Sequence, residues 1–147
     1  MILALNGCVD HRPARQDGKA EMDAFLMNFK PVYQVISERD ASTDAAVVRY
    51  VQILLPNGLD QATVMNNLKH SAYTNAKKYL QKNKGLVITV NAFPAKAVKE
   101  QTKGSIASFM VAHYAPEGDF KDRSTPYEKA KMQFSYSILI PEYFAGK

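Results

Sequence analysis

Nitrogen and oxygen donors gather around one turn of this chain: His113, then Glu117, Asp119 and Asp122. An imidazole followed by carboxylates can hold a divalent cation that activates water, which is the chemistry of a metal-dependent hydrolase. The surrounding residues weaken that reading. No HExxH or DxDxDG pattern accompanies them, and Pro116-Glu117-Gly118-Asp119 is the ordinary composition of a solvated turn. Of the other two histidines, His11 falls in a polar stretch without periodicity, and His70 lies between Leu68 and Ala72 at the border of an apolar stripe. One cysteine provides no zinc-ribbon spacing, and no glycine-rich loop is placed to cradle phosphate. The sequence therefore points to a protein that is not an enzyme and uses no cofactor, with a hydrolase around His113, Glu117 and Asp119 as the minor alternative.

The single cysteine has a different chemistry available. Leu5-Asn6-Gly7-Cys8 resembles the lipobox of bacterial lipoproteins, in which an apolar residue three before the cysteine and a small residue just before it direct lipidation. Only Met1 to Ala4 precede the box, shorter than the basic and apolar regions of a secretory signal. Two readings follow. Either a longer signal lies upstream and Cys8 carries the lipid, or Cys8 is a small apolar residue packed in an N-terminal segment. The polar run "VDHRPARQDGKAE" favours the first, because such a stretch suits a tether between anchor and domain. We expect residues 1–20 to be signal remnant and tether, and 21–147 one domain.

Charge and aromatic content suggest partners. Nineteen Lys and Arg against fourteen Asp and Glu give a net charge of +5, which raises the prospect of anionic ligands. Lys69, Lys77, Lys78, Lys82 and Lys84 form the basic end of a predicted helix and are the residues a nucleic-acid-binding accessory protein would use. There is no Arg-rich run and no aromatic-interleaved basic stripe, and relief of the helix dipole already accounts for several of these lysines. Eight tyrosines without tryptophan can furnish a recognition surface. Tyr127, Tyr143 and Phe144 fall outside the strongly periodic elements and are the candidates to face a partner.

These residues must be positioned by a core, and 147 residues suffice for one domain that buries roughly 70% of its unfolded surface. No stretch approaches the roughly 18 apolar residues of a membrane-spanning helix. Met22, Phe25, Leu26 and Phe29 are at helical spacing, and Pro31 stops that helix at Lys30. Alternation predicts a strand over 32–40, "DASTD" a turn, and 45–56 a second strand. A long helix is predicted over 60–82, with Asp60 as N-cap, Val64, Leu68, Ala72 and Ala76 in its apolar stripe, and Gly85 as its stop. "LVITVNAF" (86–93) has the near-continuous β-branched character of a central strand. Strands over 105–115 and 132–140 complete the pattern, with a helical turn starting at Pro126.

The run from Tyr33 to Asp119, with "YQVISERD", Arg49 before "LLPNGL", "NNLKHSAYTNAKKYL", "LVITVNAF" and "ASFMVAHYAPEGDF", resembles a family of small bacterial α/β domains of unknown function. That resemblance implies a compact module, often in secreted, lipid-anchored or mobile-element-encoded proteins, and supplies no catalytic residues. The expected architecture is an α+β two-layer sandwich in the order α-ββ-α-ββ-β, with one long helix covering one face of a mixed four- or five-stranded sheet. The expected function is a non-enzymatic binding module, envelope-associated or exported. It would engage a protein or envelope component through the sheet face or edge that the long helix leaves uncovered.

Overall fold

The structure, a computed structural model, describes residues 14–95, 107–117 and 123–144, with side chains from Lys19 onward. Cys8, His11, Asp119 and Asp122 lie outside the described residues. In chain order the elements are α1 (Ala14–Asn28), β1 (Gln34–Asp40), β2 (Ala46–Leu55), α2 (Gln61–Tyr79), β3 (Gly85–Pro94), β4 (Met110–Pro116) and β5 (Met132–Ile138), followed by a 3-10 turn at Pro141–Phe144. The protein is α+β, with a five-stranded mixed sheet in the spatial order β1-β2-β3-β4-β5. The β2–β3 pair is parallel, bridged by α2, and the other three pairs are antiparallel.

Among the described residues two helices, not one, sit on the sheet. α1 begins inside the stretch expected to be tether, because Ala14, Arg15, Gln16, Lys19 and Ala20 are good helix formers that carry no apolar stripe to advertise them. Its apolar half packs: Met22 is buried, and Phe25 meets Tyr73 of α2 edge-on at 5.7 Å between ring centroids.

α2 is built as its signals require at the N-terminus, where Asp60 accepts a hydrogen bond from the Thr63 amide at 2.8 Å. Its end differs from expectation. The helix stops at Tyr79, capped at Leu80, which leaves Lys82 and Lys84 beyond it. Gly85 does not stop the helix but opens β3, and Asn83 takes the left-handed conformation instead, with φ 66°. Asn67, which reads as part of the polar surface, is fully buried. Its Oδ1 accepts from the Val32 amide and its Nδ2 donates to the Thr63 carbonyl, both at 2.9 Å, so the side chain latches the approach to β1 onto α2.

Side-chain alternation then divides the sheet into two faces. Val51, Ile53, Leu86, Ile88, Val90, Met110, Ala112 and Tyr114 point toward the helices and join Val64, Leu68, Ala72 and Ala76 in one buried cluster. Arg49 also points that way and is only 8% exposed. Its guanidinium donates to Glu38 of β1 at 2.7 Å and stacks 3.8 Å from the Tyr79 ring, binding strand and helix together. Among the described residues, no helix lies on the second face, and none is long and apolar enough to cross a membrane.

Candidate functional site

The second face is organised in rows that the strand registers set. Arg39 stands opposite Tyr50, Tyr50 opposite Thr89, Thr89 opposite His113, and His113 opposite Ser135. One residue from each strand thus forms a hydrogen-bonding row across the whole sheet, a distance of roughly 19 Å at the usual strand spacing. The row is internally ordered: the Arg39 guanidinium sits 4.4 Å above the Tyr50 ring, and Thr89 Oγ1 is hydrogen-bonded to His113 Nδ1 at 3.0 Å. A second row runs beside it through Ser37, Gln52, Asn91, Val111 and Ser137. On the other flank the face turns apolar, with Ala46, Val48 and Val87 packed with Ala41 and Ala115. There a hollow of about 470 Å³ opens between Thr43, Val48, Tyr50 and Arg123.

Each strand contributes to these rows for a local reason. β3 is β-branched on both faces, and Thr89 and Asn91 are its polar positions on the helix-free side. β5 reads Gln133, Ser135, Ser137 on that side and Met132, Phe134, Tyr136 on the other. Neither row contains a carboxylate, so Arg39 gives the face a net positive character at neutral pH. The arrangement offers hydroxyl, amide, imidazole and guanidinium groups beside the Tyr50 ring, and it brings the Thr89 hydroxyl within hydrogen-bond reach of the His113 imidazole.

The residues singled out in the sequence distribute unevenly over this frame. His113 is in the row, exposed and bonded to Thr89, while Glu117 stands past the end of β4 with its carboxylate 3.7 Å from Lys131. Among the described residues no three of His, Cys, Asp and Glu cluster to hold a metal. The lysines do not make one patch. Lys69 lies over the rings of Phe25, Tyr73 and Phe134, Lys77 reaches Asp23 of α1 at 3.2 Å, and Lys78 leans on Tyr79. Tyr127 belongs to the core rather than to the surface: it is 5% exposed, and its hydroxyl lies 3.4 Å from that of Tyr114. It is held there because its amide donates to the Lys84 carbonyl at 2.9 Å, an interaction between distant segments that no local pattern announces. Tyr143 and Phe144 are half-buried and pack on Phe109, the former stacked at 3.6 Å and the latter edge-on at 5.9 Å.

Partial desolvation lowers the pKa of half-buried His70, and also that of His113, whose ring rests on the sheet with its outer side exposed, below the ordinary imidazole value. The His70 ring is enclosed by Phe25, Phe29 and Tyr33, and its Nδ1 is hydrogen-bonded to the Tyr33 hydroxyl at 2.9 Å. As pH falls through about 6.5 the unfolded chain takes up protons that these folded sites resist, so stability is complete above that pH and declines below it. Urea midpoints should therefore drop between about pH 7.5 and about pH 5.5, and drop less when both histidines are replaced by glutamine. An equal drop in the double variant would assign the effect to other groups.

Comparison with protein-family models, with curated proteins and with solved structures finds no match to this chain. Arg39, Tyr50, Thr89 and Ser135 were not among the residues the sequence singled out. Alternation within each strand tells which of them share a face, but their alignment into a row depends on the pairing registers.

Proposed function

We propose that this chain is a non-enzymatic binding module of the bacterial cell envelope, tethered through a lipidated Cys8, whose helix-free sheet face takes an extended, hydroxyl- and amide-rich envelope polymer. The observation that carries the reading is the polar row Arg39–Tyr50–Thr89–His113–Ser135, one residue from every strand. A sheet face presenting a line of guanidinium, hydroxyl and imidazole groups matches a ligand that repeats hydroxyl and amide groups along its length, and the Tyr50 ring gives an apolar sugar face something to rest on. The lack of carboxylates in both rows suits a neutral or weakly anionic ligand. The lipobox-like N-terminus supports the compartment, as does the resemblance to small bacterial domains of unknown function that often occur in secreted, lipid-anchored or mobile-element-encoded proteins.

The test is an amide NMR titration with soluble oligosaccharides of N-acetylated amino sugars. Shift changes should concentrate at Tyr50, Thr89, His113 and Ser135. Tyr50→Ala and His113→Ala should each weaken binding at least about fivefold, the equivalent of one lost good contact, while Lys77→Ala should leave it unchanged. Absence of shifts on this face would sink the reading. Binding of DNA or RNA that falls steeply with salt and is lost when Lys69, Lys77 and Lys78 become Gln would replace it with nucleic-acid recognition.

A further inference from the structure

The two edges of the sheet are built differently. β1 carries a bulge between Val35 and Ser37 and ends in Glu38-Arg39-Asp40, the devices by which an exposed edge discourages another strand. β5 has none of them. Met132-Gln-Phe-Ser-Tyr-Ser-Ile138 contains no charge, no proline and no bulge, its register with β4 runs unbroken, and among the described residues β4 is the only strand paired with it. Ile138 and Leu139, at its end, are 38% and 51% exposed.

The hydrogen bonds at its two ends fix which backbone groups face outward. The Lys131 carbonyl accepts from the Glu117 amide, and the Leu139 amide donates to the Phe109 carbonyl. Odd-numbered residues of β5 are therefore spent on β4, and Met132, Phe134, Tyr136 and Ile138 direct their N–H and C=O groups to the free edge.

We infer that two copies of this chain pair through β5, antiparallel about a two-fold axis at Ser135. This register pairs all seven residues of the strand. It places Met132 opposite Ile138 and Phe134 opposite Tyr136 of the second copy, each as a pair exchanging two backbone hydrogen bonds. Ser135 meets its own copy in the closer, non-bonded position. On the helix side the pairs are apolar or aromatic throughout, and on the other side Gln133 meets Ser137, so no like charges face each other. The resulting ten-stranded sheet continues the row Arg39–Tyr50–Thr89–His113–Ser135 into the same row of the second copy, each copy completing the face of the other. The pairing follows from the edge alone and does not rest on the choice of ligand.

Sedimentation velocity of the full chain, without ligand, should show a dimer at micromolar concentration. Ser135→Lys and Ser135→Glu each put like charges on the two-fold and should weaken dimerisation at least about fivefold. Mixing the two variants should restore a dimer, a rescue that misfolding cannot imitate. A wild-type chain that stays monomeric at about 100 µM overturns the inference, since a Kd above that is too weak for a specific pair. So does a Ser135→Lys variant that dimerises as wild type does. Either result leaves the titration of the sheet face to be judged separately.

Discussion

Gly85→Ala should destabilise the protein by about 3 kcal/mol, the upper part of the range for forcing atoms into a packed site. Gly85 opens β3 opposite Ala46, and its amide donates to the Ala45 carbonyl at 2.9 Å. A Cβ built there would overlap the backbone carbonyl of Arg123. Neither side can give way easily. The strand is locked in its parallel ladder, and the segment carrying Arg123 is pinned nearby by the Tyr127 amide on the Lys84 carbonyl and by the Glu128 carboxylate accepting from the Asn83 amide at 3.2 Å. Gly58 is the control. It has φ +89° and open space around its Cβ position, so alanine there meets only backbone strain, worth about 1 kcal/mol. Urea unfolding of the two variants decides the matter: a midpoint for Gly85→Ala no lower than that for Gly58→Ala would show that the chain at Arg123 does not crowd β3.

The same glycine shows where sequence reasoning stops. From composition alone Gly85 looks like a helix terminator, because glycine after a basic last turn is a common stop. The helix ends earlier, and the glycine serves a close approach between segments far apart in sequence. Tyr127 and Asn67 misread for the same reason. Each looks like surface locally, and each is buried by a hydrogen bond to a distant backbone group, Lys84 and Val32 respectively.

What the sequence did convey was periodic or local. The stripe of α2, its Asp60 cap, the Asp40–Asp44 turn with Asp40 Oδ1 accepting from the Ser42 amide at 2.9 Å, and the β-branched run of β3 are all written in neighbouring residues. α1 was half legible: its packed half has a stripe from Met22 onward, and the half before it has only propensity. The candidate site was legible by face and not by register. His113 could be singled out as chemistry-bearing, but its place between Thr89 and Ser135 depends on two antiparallel pairings that a shift of one residue would undo.

The helix–sheet contact provides the other large expected effect. Leu68→Ala should cost about 3 kcal/mol and Val90→Ala about 2, with Lys78→Ala within about 0.5. Leu68 is fully buried on α2 and Val90 fully buried on the central strand, in the same cluster. The neighbours of Leu68 along the helix stripe are Val64, Ala72 and Ala76, so the positions one and two turns toward the C-terminus have no longer side chain to swing into the void. The same buried cluster holds Val51, Ile88 and Val90, β-branched side chains with few rotamers and on strands bonded on both sides. A site that relaxes so little keeps most of its cavity, and the residual cavity is what raises the cost above simple transfer. Lys78 loses only a contact 5.3 Å from the Tyr79 ring on an exposed face. Urea midpoints falling in the order Leu68→Ala, Val90→Ala, Lys78→Ala are expected; equal shifts for all three would mean that α2 presents a different face to the sheet.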